Sequence, residues 1–140
     1  CPYISDKAFL ALESKLAEAK YLTSVGFSFK WCERISDKSL EYIRGVFQST
    51  SRLDTVSLEY QYCKNISGEA LKQLRGLYDL KYLRELRLVF NNCPKITEQG
   101  IVSVAEVIQH LQKLTEFFFE SGLEESAEVL NLLPTRINVV

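Results

Sequence analysis

The 140-residue chain reads as an α/β solenoid, with parallel strands along a concave face and helices along a convex one. Three observations predict this. Cys1, Cys32, Cys63 and Cys93 stand 31, 31 and 30 residues apart, and each opens the phrase Cys-x-x-Ile-Ser/Thr; a period of about 20 to 50 residues marks a solenoid or similar array. A stripe of apolar residues at helical spacing follows each cysteine. A two-residue alternation rich in strand formers precedes each later one.

Taken in order, the first helix follows Ser5 and carries Phe9, Leu12 and Leu16; these lie eight, eleven and fifteen residues after the cysteine, on one helical stripe. The first strand is Leu22-x-x-Val25-x-Phe27-x-Phe29, with aromatic and β-branched residues on one side. Leu40, Ile43 and Phe47 repeat the helix after Ser36, and Leu53-x-x-Val56-x-Leu58-x-Tyr60 repeats the strand. The third unit has Leu71, Leu74 and Tyr78 after Ser67, then Leu83-x-x-Leu86-x-Leu88-x-Phe90. The fourth has Ile101, Val104 and Ile108 after Thr97, then Leu114-x-x-Phe117-x-Phe119. There the pattern departs, with Ser121 in the aromatic slot, and Ile137-x-Val139 closes as one more strand. The Ser or Thr of each phrase is placed to cap a helix N-terminus. Asp6, Asp37 and Glu98 put negative charge beside the positive helix end, whereas Gly68 interrupts that pattern.

Residues 1–140 form a single array of about four to five repeats of 30–31 residues, the last one shortened. One unit cannot bury its apolar face alone, but stacked units share a core. The hydrophobic content of 46% is ample for it. The chain lacks methionine and opens inside a repeat, so it is expected to be a fragment of a longer protein.

Leu-x-x-Leu-x-Leu followed by Cys-x-x-Ile-Ser/Thr and a helix resembles the leucine-rich repeat, closest to the ribonuclease-inhibitor-like and cysteine-containing subtypes. The cysteine comes five residues after the third strand Leu rather than three, with an added inward aromatic at Phe29, Tyr60 and Phe90. The resemblance implies a leucine-rich-repeat solenoid, a horseshoe arc whose concave sheet binds other proteins. The cysteine-containing subtype further implies the substrate-recognition part of an F-box-type ubiquitin ligase.

Composition narrows the function classes. A net charge of −1 leaves no electrostatic footprint for nucleic acid. No apolar run is long enough for membrane insertion. Zinc motifs pair ligands two to four residues apart, and the closest cysteines here are 30 apart. Stacked one per rung, the cysteines read as small buried hydrophobes in a reducing compartment, intracellular and either cytoplasmic or nuclear. His110 is the single histidine, Asn65-Ile66-Ser67 is an accidental glycosylation match, and Glu59 and Glu85 are a carboxylate pair that can meet on the sheet. No nucleophile, phosphate cradle or metal set emerges. The expectation is a non-enzyme without cofactor.

Binding residues follow from what varies while the core repeats. Three ladders point to the concave side: Gly26, Ser57, Arg87, Phe118; then Ser28, Glu59, Val89, Glu120; then Lys30, Gln61, Asn91. Phe118 reads either as a binding hot spot or as a residue that packs under further sequence. Trp31 and Tyr62, each just before a cysteine, either form a rim contact patch or shield the turn above the core. Arg84, Glu85 and Arg87 read as a solvated charge cluster. The expected function is a non-catalytic scaffold that holds a protein or peptide. The alternative from a different class is a structural subunit of a large assembly, in contact through several faces, including Tyr42, Arg44, Gln73 and Arg75 on the convex side.

Overall fold

The structure is a computed structural model, and it describes residues 3–124, 130–131 and 133–140. In chain order the elements are α1 (Lys7–Ala17), β1 (Ser24–Lys30), α2 (Lys38–Ser49), β2 (Thr55–Gln61) and α3 (Gly68–Leu71), which runs on as a 3-10 helix (Lys72–Asp79). Then come β3 (Glu85–Val89), α4 (Glu98–His110), β4 (Glu116–Glu120) and β5 (Asn138–Val139). The five strands form one sheet in the order β1-β2-β3-β4-β5, and every pair is parallel. The protein is therefore α/β, each strand lying beside the next one in sequence. Helices neighbour one another in the same order, α1 on α2, α2 on the 3-10 segment, and that segment on α4.

The strand phrases meet in the register their repetition implies. Phe27, Leu58, Leu88 and Phe119 are partners across successive strands. Their neighbours two residues on build an aromatic row through the core: Phe29 and Tyr60 are 5.5 Å apart by ring centroids, and Tyr60 and Phe90 another 5.5 Å. Tyr60 is fully buried, so its hydroxyl needs a partner, and it shares a 3.0 Å hydrogen bond with Ser39 Oγ. Burial holds that phenol neutral well above the usual tyrosine range.

The thiols form a second row. Cys32, Cys63 and Cys93 are buried and unpaired; Cys1 lies outside the described residues. Cys63 Sγ donates toward the carbonyl of Gln61 at 3.5 Å and across the rung to Phe29 O at 3.7 Å. Cys93 repeats this toward Asn91 O at 3.6 Å and Tyr60 O at 3.4 Å. Each thiol thus serves carbonyls at the strand ends, where the ladder gives way to the turn. Burial raises both thiols, Cys93 to about 11.

Two sequence expectations are corrected and one, at Gly68, is extended. Asp6 and Asp37 do not simply face their own helix dipoles: each reaches forward to the next unit. Asp6 accepts from Ser36 N at 2.8 Å and Ser36 Oγ at 2.5 Å; Asp37 accepts from Ser67 N at 2.7 Å and Ser67 Oγ at 2.6 Å. As a result Asp6 and Asp37 occupy the cap positions of α1 and α2. Ser36 and Ser67 also accept from their own helices as expected, from Lys38 N at 3.4 Å and Glu69 N at 3.2 Å, while Thr97 makes no side-chain cap bond. Second, where Gly68 replaces that aspartate, the clasp is absent and the backbones close up instead. A Cβ on Gly100 would lie 2.9 Å from Gly68 Cα. Third, the third helix becomes 3-10 after one turn, and three residues per turn bring Leu71, Leu74 and Leu77 into the core. Tyr78, expected inward, is 40% exposed.

Candidate functional site

Alternation leaves every second strand residue on the face of the sheet turned away from the helices. Register brings Gly26, Ser57, Arg87 and Phe118 into one row, and Ser28, Glu59, Val89 and Glu120 into the next. Lys30 and Gln61 pair beyond them, and the 2.9 Å bond from Tyr62 N–H to Asn91 O continues that third row. The ladders expected from variability are therefore physically contiguous.

Polar contacts knit these rows together. Glu59 accepts from Ser28 Oγ at 3.1 Å through one oxygen and from Arg87 Nε at 2.8 Å through the other. The Arg87 bond holds the Glu59 carboxyl below its usual range, with partial burial opposing and Ser28 assisting. The guanidinium of Arg87 then covers the Phe118 ring, 4.0 Å from its centroid, a cation–π contact that adds Coulombic attraction to apolar contact. Asn91 Nδ2 donates to Glu120 Oε1 in a close contact, while Asn91 Oδ1 is buried without a donor among the described residues.

Some assignments change with this geometry. Val89, expected as a contact residue, is only 1% exposed although it stands outside the main core cluster. A short side chain set between Glu59 and Glu120 is overshadowed by longer neighbours. Glu59 and Glu85 do not meet; Glu85 pairs in register with Thr55 and Glu116. Arg87 is committed to Glu59 and Phe118 rather than to a loose cluster with Arg84 and Glu85. Phe118 is half-buried beneath Arg87, so it offers an edge rather than a free anchor. Asn65 of the glycosylation pattern is occupied, since Nδ2 donates to Glu33 O at 2.8 Å.

Sequence reasoning also missed a row. Thr55, Glu85 and Glu116, two residues before the first ladder, border a depression of about 280 Å³ together with Arg87, Phe118 and Val140. Among the described residues neither Glu85 nor Glu116 has an ion-pair partner. The same two-residue alternation extended backward from Ser57, Arg87 and Phe118 reaches all three.

At the far end of the strands, Trp31, Tyr62 and Asn92 share a slot and a backbone: φ is 57°, 57° and 55°. This left-handed conformation suits Asn and disfavours bulky residues. It turns the Trp31 and Tyr62 side chains outward along the rim, where the rings stack with centroids 3.9 Å apart and planes 7° from parallel. Trp31 remains 58% exposed. Lys64 and Glu33 form an ion pair at 3.1 Å in the turns that follow.

No protein-family profile matches the chain, and no curated protein is significantly similar to it. No helix among the described residues is long and apolar enough to cross a membrane.

Proposed function

We propose that this chain is a leucine-rich-repeat array, curved as a horseshoe, that serves as a non-catalytic scaffold and holds a protein or peptide against its concave sheet. The observation that carries this reading is the chain of contacts Ser28–Glu59–Arg87–Phe118, hydrogen-bonded and stacked across four strands and joining two neighbouring rows. A network that spans several rungs fixes side chains before a partner arrives, which lowers the ordering cost of binding. Around it, Glu85, Glu116 and Glu120 give the face an acidic border that favours a segment with basic side chains. The Trp31–Tyr62 stack supplies the apolar rim contact that interfaces concentrate in aromatic residues. Three buried free thiols fit a reducing compartment inside a cell.

The test is capture from native extract by the immobilised chain, beside Glu59→Ala/Arg87→Ala/Phe118→Ala and a helical-side control, Arg44→Ala/Arg75→Ala. A partner lost by the first variant and kept by the second is expected. A partner kept by the first and lost by the second overturns the reading in favour of a structural subunit that docks through its helices.

A further inference from the structure

The edge where helices end and strands begin carries a different chemistry. The residue just before the first strand leucine is Tyr21, Arg52, Tyr82 and Lys113 in successive units. The residue before that is Lys20, Ser51, Lys81 and Gln112. All eight are exposed, and none is acidic. One cation therefore stands on every rung, with rungs about 4.8 Å apart.

These side chains contact each other in pairs. Arg52 Cζ lies 5.8 Å from the Tyr21 ring centroid, and Lys113 Nζ lies 5.1 Å from that of Tyr82. Tyr21 is 83% exposed and Tyr82 56%. Among the described residues, Lys20, Arg52, Lys81 and Lys113 have no carboxylate within ion-pair distance. The acids nearest in sequence are Asp54, bonded by the Thr55 hydroxyl at 2.9 Å, Glu18, paired with Lys15 at 4.0 Å, and the exposed Asp79, Glu85 and Glu116, of which the last two belong to the acidic border of the sheet face.

Helix dipoles do not account for the pattern. Cations that complement a dipole belong in the last helical turn, yet the last turns of α2 and of the 3-10 segment hold none. The cations stand past the helix ends, on the approach to the strands. Beside Lys81 and Lys113 opens a recess of about 350 Å³ floored by Leu80 and Leu83 and walled by Tyr78 and His110. It has room for a side chain.

We propose that this edge is a second interaction surface, distinct from the sheet, that binds an acidic peptide segment of a partner protein. A line of single cations interleaved with tyrosines matches an extended run of carboxylates with apolar residues among them. The overall balance selects a peptide over a polynucleotide, because a pI near 5.9 and net charge −1 are far from the basic character of nucleic-acid binders.

The experiment is fluorescence anisotropy of a labelled oligoglutamate peptide titrated with the native chain at low and high salt. It is compared with Arg52→Glu/Lys113→Glu, shown folded by circular dichroism, and with the sheet variant Glu59→Ala/Arg87→Ala. Binding at low salt that weakens by at least about tenfold on charge reversal, or about 1.4 kcal/mol, is expected, with the sheet variant unaffected. Tyr21 and Tyr82 ring resonances of the native chain should shift on titration. No binding at low salt, or binding indifferent to charge reversal, overturns the proposal. A single-stranded oligonucleotide or an anionic vesicle that binds more tightly than the peptide overturns it as well.

Discussion

Trp31 and Tyr62 hold a backbone conformation that their side chains disfavour, at a cost of about 1–2 kcal/mol per residue. Asn92, in the same slot, adopts it more easily. Ring stacking returns about 0.5–1.5 kcal/mol. The two contributions nearly cancel, so Trp31→Asn should change stability by less than about 1 kcal/mol in urea unfolding while it weakens capture of a rim-contacting partner. A loss above about 2 kcal/mol would instead make the stack a shield for the turn, the other reading that the sequence leaves open. Spacing alone placed these aromatics in one slot and at the rim. Their left-handed backbone was hidden, because positive φ is expected of Gly and Asn, and only Asn92 carried that signal. Val89 shows the complementary gap: alternation gives the direction of a side chain but not the size of its neighbours.

Between elements, the forward-reaching aspartates join one unit to the next. Asp37 satisfies both the N–H and the hydroxyl of Ser67, which are part-buried. Asp37→Ala leaves both without that acceptor and should cost about 1–3 kcal/mol, read as a lower urea midpoint at unchanged slope. Asp37→Asn keeps one acceptor oxygen and should fall between the two. A midpoint equal to the native one for the alanine variant would remove the clasp from the account. The sequence displayed Asp6 and Asp37 plainly, but as neighbours of their own serines. That they bind the following serine, 30 residues on, becomes visible only once the register is known. The 3-10 segment was hidden for a related reason: Leu71 and Leu74 fit both three and 3.6 residues per turn, and Leu77 against Tyr78 decides.

Across the whole molecule, stability accumulates from contacts between neighbours, so the ends are expected to open before the middle. Phe9 is the single buried residue recorded for α1, whereas α2 and α4 bury several each. Single-thiol variants made by Cys→Ser exchange at the other positions should show Cys32 labelling faster than Cys63 under native conditions. Burial raises the Cys63 and Cys93 thiols, Cys93 to about 11, which disfavours the reactive thiolate at both. One common labelling rate for the three would make the array a single cooperative unit. The joint at Gly68 and Gly100 has a consequence for how such a chain can grow. A tandem duplication of residues 32–62 would keep the clasp at both new joints, because the first Asp37 would find a new Ser36 and the second would keep Ser67. A duplication of residues 63–92 would place Ala70 where Gly100 stands, and a Cβ there comes within 2.9 Å of Gly68 Cα. Gene duplication can therefore lengthen this chain at its second unit but not, without further mutation, at its third.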